Sequence, residues 1–303
     1  MELSIPHPYQ RIVRRRFPDL SSRDVRAFEG NDHYVFEVDD ELAFRFPKVP
    51  REIDPKRSRF VQRFADLSPL PVPQIEIHRD GHTGLEYEIV TYLPGVPLYP
   101  SVAQEFTDEE LATVADELGR FLGALHSFPV EEAGALGIDE LDPSEFWAYM
   151  EQNERAYPRF KRLVFPHVST AEREWVEALF TDYIALVRAN PFPTTMTHSD
   201  MWVFHIIVDP EAHTLTGVID YGLRIADPAR DFKPFEHYGS DFVDAVYRSY
   251  SPPIDDQFDQ RRLFYTGHDE VFELARQIER GNEEQIAQHR RSLSAYISSH
   301  ALS

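Results

Sequence analysis

There is no cysteine in this chain of 303 residues. Disulfides, zinc–thiolate sites and thiol catalysis are therefore excluded. No uninterrupted apolar run approaches the ~20 residues that a membrane helix needs, and the segment from Met1 to Phe17 lacks the apolar stretch of a signal peptide. Internal repeats and low-complexity tracts are missing too. Positive charge is scarce: 31 lysines and arginines face 52 aspartates and glutamates, for a formal net charge of -21. A field of that sign repels nucleic acid and anionic membranes and attracts metal ions or a cationic small molecule. The expectation is a soluble, cytoplasmic protein whose partner is a small molecule, with neither nucleic acid nor membrane involved.

What is present is an ordinary globular composition, 42% hydrophobic and 27% charged. The first third mixes helix and strand. A short helix near Tyr9–Phe17 precedes a strand over Tyr34–Val38. Asp39-Asp40 reads as a tight turn, and Leu42–Phe46 alternates in period two, so Ala43 and Arg45 share a face. A basic helical stretch from about Asp54 to Leu67, an extended proline segment over Pro69–Pro73 and strands through Ile75–Ile77 and Tyr87–Val90 follow. Near Leu93–Val96 the pattern turns helical. Thr107-x-x-Glu110 and Ser169-x-x-Glu172 are capping boxes, each opening a helix with an apolar stripe. The fold class expected is α+β: a small, mostly β N-terminal lobe over 1–92 and a larger, mostly α lobe over 93–303.

The chemistry concentrates between Thr197 and Gly222. Two apolar strands, Ile206–Val208 and Leu215–Ile219, flank a polar link and predict a β-hairpin. The start of one strand lies beside the end of the other, so His205 and Asp220 become neighbours. Asp200 sits in the loop entering the hairpin. A loop carboxylate and two ligand-type side chains on strand ends suit phosphoryl transfer, which needs a group to take the hydroxyl proton and ligands for a cation on the phosphates. Magnesium prefers oxygen, which makes Asp220 the better ligand and His205 the less conventional one.

His198-x-Asp200-x-x-x-x-His205, the block Ile219-Asp220-Tyr221-Gly222 and Asp227-Pro228-Ala229-Arg230-Asp231-Phe232 together resemble the aminoglycoside phosphotransferase family. The histidine at 205 is similar to that of the 2''-phosphotransferases and macrolide phosphotransferases in particular. Glu29–Asp32, Phe44–Lys48, Pro69–Pro73, Gly95–Leu98 and Phe121–Ser127 agree in order, so the resemblance runs from about residue 28 to 240.

The resemblance implies a bilobal, protein-kinase-like fold that binds ATP or GTP with magnesium. Asp200 would be the catalytic base, and Asp220 and His205 the metal ligands. Gly30, Asn31 and Asp32 would form the loop over the phosphates, and Arg45 would stand at the phosphate-binding lysine. The hinge over Tyr87–Leu93, ending in Tyr92 and Leu93, would hold the nucleobase. An aminoglycoside-type antibiotic is the acceptor implied, and antibiotic resistance the physiological setting. A macrolide or other small-molecule kinase stands beside that reading, as does a kinase-fold protein that binds a ligand without transfer.

The chain departs from the family at Arg45, at the helix that follows, and in the link from Asp220 to Asp227. The helix carries Lys56, Arg57 and Arg59 where a glutamate is expected, leaving Glu52 and Asp54 as substitutes. The link is shorter than usual.

Blander roles are expected for several residues. His198 reads as a loop residue bonded to backbone, Asp227 and Asp231 as caps of a helix near Pro228, and His126 as a packed residue at a helix end. Trp202 and Phe204 are either core or acceptor-facing. Asp231, Glu236, Asp241, Asp244, Asp255, Asp256 and Asp259 are either a polyamine-recognising set or a solvated surface.

Overall fold

The computed structural model describes residues 7–19, 23–30, 32–153 and 156–300. In chain order these form α1 (His7–Arg16), β1 (Val25–Glu29), β2 (His33–Val38), β3 (Leu42–Pro47), α2 (Lys56–Phe64), β4 (Ile75–Arg79), β5 (Glu86–Thr91) and β6 (Val96–Pro97). Helices then dominate: α3 (Pro100–Ala103), α4 (Asp108–His126), α5 (Val130–Ala135), α6 (Pro143–Gln152), α7 (Tyr157–Val164) and α8 (Thr170–Ala189). Short strands follow, β7 (Thr195–Thr197), β8 (Ile206–Asp209), β9 (Thr214–Val218) and β10 (Arg224–Ala226). The last described elements are α9 (Ser240–Ser249), α10 (Phe258–Arg280) and α11 (Glu283–Ser299). Among the described residues no helix is long and apolar enough to cross a membrane.

The chain divides into two compact units. The first comprises residues 1–138, 202–221 and 244–251. Its main sheet is antiparallel, in the order β1-β2-β3-β5-β4. Alternation along β3 sends Phe44 and Phe46 into a core with Phe36, Tyr87 and Ile89, against which α1 lays Tyr9, Ile12 and Val13. Arg45 is therefore left on the opposite face. Arg14, Arg15 and Arg16 end α1, where cations oppose the negative end of the helix dipole. Asp39 and Asp40 turn β2 into β3 with φ of 56° and 53°, a left-handed region that short polar side chains tolerate. Both expected capping boxes are formed.

The expected hairpin is β8–β9, with Ile206 opposite Val218. A third strand not anticipated from the sequence, β6, pairs antiparallel with β8, Val96 opposite Val208. Two residues are too few to show a period. Gly95 makes the approach possible: its φ is 128°, and a Cβ there would fall 2.3 Å from the Val208 carbonyl oxygen. The strand β1 was likewise not anticipated.

The second unit comprises residues 139–201, 222–243 and 252–303. Here α6, α7, α8, α10 and α11 enclose Phe160, Phe180, Phe232, Phe258 and Phe264, and β7 pairs with β10. Asp227 caps the 3₁₀ segment Pro228–Tyr238 by accepting from the Ala229 N–H at 3.1 Å.

Candidate active site

In the first unit the hairpin register does what the sequence predicts. The Ile219 N–H donates to the His205 carbonyl at 3.0 Å, which brings the two side chains together: His205 Nε2 lies 3.7 Å from Asp220 Oδ2. His205 is buried at 5% exposure, whereas the Asp220 side chain keeps 39%. Asp220 has a φ of 61°, in the left-handed region that aspartate, like Asp39 and Asp40, tolerates.

A second group of charges meets Asp220 from the main sheet. Arg45 Nη1 lies 2.7 Å from Asp220 Oδ1. Directly opposite Arg45 in register stands Glu88 of β5, only 3% exposed. Arg57 of α2 donates through Nη2 to both Glu88 oxygens at 2.6 Å, and Arg45 Nε stands 3.8 Å from Glu88 Oε2. The acids nearest Arg45 are thus Asp220, just past β9, and Glu88 on β5, and neither comes from the helix that follows. This corrects the expectation for Glu52 and Asp54: both are exposed, and Asp54 accepts from the Lys56 N–H at the start of α2.

The remaining predicted nucleotide residues also belong to this unit. At the β1–β2 turn the Gly30 N–H donates to the His33 carbonyl at 2.8 Å, and the Lys48 N–H to the Asp32 carbonyl at 2.9 Å. Asn31 lies outside the described residues. Of the segment Tyr87–Leu93, the part through Thr91 is sheet and Tyr87 is core; Tyr92 and Leu93 leave it. The Tyr92 N–H donates to the Glu41 carbonyl at 2.8 Å, and the Arg26 guanidinium lies 5.8 Å from its ring. Leu93 packs where a Cβ on Gly217 would otherwise fall, 2.6 Å from Leu93 Cδ1.

Asp200 belongs to the second unit, where its loop is tightly braced. The Asp231 carboxylate, fully buried, accepts from the N–H groups of His198 at 2.6 Å and Ser199 at 2.8 Å. Arg230 Nε donates to the Ser199 carbonyl at 3.0 Å, and the N–H groups of Gly222 and Leu223 both donate to the His198 carbonyl. The Asp200 N–H donates to His198 Nδ1 at 3.3 Å, so a neutral His198 carries its proton on Nε2. The loop is fixed and the Asp200 side chain is exposed.

His198 therefore has the structural role expected of it, but Asp231 does not cap a helix. It holds the loop backbone, a role no local signal announces. Replacing Asp231 with alanine takes the acceptor away from one buried N–H group and one half-buried one. The expected result is a loss of about 1–3 kcal/mol of unfolding free energy, read from denaturant unfolding beside the wild type.

The acidic residues considered for polyamine recognition divide. Asp231, Glu236, Asp255 and Asp259 are engaged, the last three by Arg262, Arg261 and Arg262 respectively. Asp241, Asp244 and Asp256 are exposed. His126 is packed, its Nδ1 2.8 Å from the Tyr250 hydroxyl. Trp202 and Phe204 stack at 5.8 Å, with Phe204 40% exposed.

A five-stranded antiparallel sheet followed by a largely helical chain, with an aspartate loop leading into a His–Asp hairpin, defines a protein of the α+β, protein-kinase-like class expected from the sequence. The GDP and kanamycin complex of APH(2")-IIia is similar over 97% of this chain and 100% of that one, at 21% identity and a TM-score of 0.82. Macrolide 2'-phosphotransferase MphH from Brachybacterium faecium, as the apoenzyme, is similar over 95% and 98%, at 19% identity and a TM-score of 0.65. The streptomycin–ATP–APH(2")-IIa ternary complex is similar over 97% of both chains, at 16% identity and a TM-score of 0.67. No curated protein matches the chain. The chain belongs to the phosphotransferase enzyme family, whose sequence model matches residues 24–276.

Proposed function

We propose that this protein is a small-molecule kinase, transferring a phosphoryl group from ATP or GTP to a hydroxyl, with an aminoglycoside-type antibiotic as the leading acceptor class. The observation that carries the reading is the meeting of Asp220 with His205 at 3.7 Å and Arg45 at 2.7 Å in one corner of the first unit. Phosphoryl transfer is catalysed by positioning and by neutralising phosphate charge, and these are the groups it uses. Asp200 is assigned as the base that takes the acceptor proton. The residues at 30–32, Arg45, Tyr92 and Leu93 are assigned to the nucleotide, within a nucleotide-binding lobe ending near residue 92.

The residues present fit magnesium. Among the described residues no group of three or more His, Asp or Glu side chains gathers into a metal cage. A magnesium ion that travels with phosphates takes one or two protein ligands and completes its shell with phosphate oxygens and water. Asp220, with His205 beside it, offers that. When bound, the ion would neutralise charge on the transferring phosphates.

The acidic chain and the kanamycin and streptomycin complexes of similar proteins support a cationic acceptor. A macrolide is the second reading. It is favoured by a cavity of about 200 Å³ in the second unit lined by Phe146, Tyr149, Phe160, Arg230, Phe264 and His268, since aromatic walls suit an apolar ring. A cytoplasmic location, where ATP and GTP are supplied, belongs to the same proposal.

The test is release of ADP or GDP by purified protein given ATP or GTP, magnesium and a panel of aminoglycosides and macrolides. Acceptor-dependent release that EDTA abolishes is the expected result. Silence across the panel from folded protein would overturn transfer and leave a protein that binds without catalysis.

A further inference from the structure

The charges around Arg45 are arranged the other way round from what the family resemblance implies. There, a strand cation pairs with an acid from the following helix. Here the helix α2 contributes a cation, Arg57, and the acid is Glu88 on β5. A carboxylate buried to 3% needs a cation, and one arginine satisfies it. Two are present. Arg57 gives a single nitrogen to both Glu88 oxygens. Arg45, 3.8 Å away, is drawn instead to Asp220, which also lies 4.0 Å from Arg57 Nη1.

Each guanidinium carries five N–H donors in a rigid fork. Glu88 and Asp220 occupy a minority of those ten, and the rest suit the paired oxygens of phosphate. His33, which begins β2 just after the Gly30–Asp32 turn, senses the balance. Burial, then the charge of Arg45, hold its imidazole down to about 4, with Arg57 acting in the same direction and Glu88 against it. The cations outweigh the acid at the place where the phosphate loop meets the sheet.

We propose that Arg57 is a second phosphate-binding cation, with Glu88 its positioning residue, so that a polyphosphate is gripped by two guanidinium groups, Arg57 held on the buried carboxylate and Arg45 beside it. The identity of the ligand as a nucleotide rests on the kinase reading above; the anion grip does not.

Titration calorimetry on the full chain tests it, with tripolyphosphate and with Mg·ADP as separate probes. The variants are Arg57→Gln, Glu88→Gln and the double variant, with denaturant unfolding run beside them. Arg57→Gln is expected to weaken both probes by about tenfold or more. Glu88→Gln gives the sharper sign. Removing a negative charge should tighten an anion if only net charge matters, whereas loss of positioning weakens it by severalfold. The double variant replaces a buried ion pair with two neutral amides and is the arm most certain to fold.

Tighter tripolyphosphate binding in Glu88→Gln, or unchanged binding in the folded double variant, would overturn the proposal. So would a wild type that binds no polyphosphate. Arg57-dependent tripolyphosphate binding in a protein that phosphorylates nothing would keep this inference and remove the kinase reading. Turnover with an unchanged nucleotide KM in the double variant would do the reverse.

Discussion

Asp200→Ala should bind nucleotide as the wild type does and transfer phosphate about 10²–10⁴-fold more slowly, the range that a positioned general base contributes. The brace of the loop explains why so selective a loss is expected. It runs through the backbone of residues 198–200, the buried Asp231 carboxylate and the His198 ring. Truncating the Asp200 side chain leaves those bonds in place, so the loop keeps the brace that sets its course. The residues assigned to the nucleotide belong to a different unit. Acceptor-dependent release of ADP or GDP, measured with Mg·ADP affinity on the same preparations, checks both halves. Wild-type turnover in Asp200→Ala would remove Asp200 from the mechanism, and a matched loss of nucleotide affinity would show the loop to be structural.

Arg261→Met should lower the free energy of unfolding by about 3–5 kcal/mol, the cost of stranding one member of a buried ion pair. Arg261 and Asp227 are each 1% exposed, with Arg261 Nε 2.9 Å from Asp227 Oδ2, and the other two guanidinium nitrogens take both oxygens of Asp255 at 2.8 Å. The Tyr265 hydroxyl also donates to Asp227 at 3.1 Å. Burial already pushes the Asp227 carboxyl above its usual range, with Arg261 opposing. Without Arg261 it rises further, and the folded state then takes up a proton that the unfolded state has released. The deficit should therefore deepen as pH climbs from the ordinary carboxylate range toward neutrality, because unfolding then sheds that proton more favourably. Denaturant unfolding at mildly acidic and neutral pH reads both effects. Arg261→Met combined with Asp227→Asn should recover much of the loss, since the amide oxygen can still cap the Ala229 N–H. A double variant as unstable as the single would show that packing, not charge, was lost.

Sequence patterns revealed elements whose signals are local. Thr107 with Glu110 and Ser169 with Glu172 announce helix starts within four residues of chain, and both boxes form. The alternation over Leu42–Phe46 separates Arg45 from Phe44 and Phe46, and the spacing of the two apolar strands brings His205 to Asp220. What escaped depends on pairing between distant segments. Glu88 faces Arg45 only because β5, not β4, lies next to β3 in the sheet. From the sequence it is one more acid in an alternating strand. Asp231 reads as a helix cap from its neighbours and acts on amides far back along the chain. Glu236, Asp255 and Asp259 looked available because their arginine partners, a turn or two of helix or a whole segment away, carry no mark of the pairing.

The pairing of β6 with β8 also sets an order of events. Val96 and Pro97 leave the ribosome long before Ile207 and Val208, their partners. At ~5–20 residues per second the wait is roughly ten seconds. Through that interval the five-stranded sheet is already fully synthesised, while the strand that follows it has nothing to pair with. A nascent chain stalled before the β8–β9 hairpin emerges should therefore hold a protected sheet and an exposed Leu93–Leu98 segment, a ready handle for chaperones that vanishes once the hairpin is made.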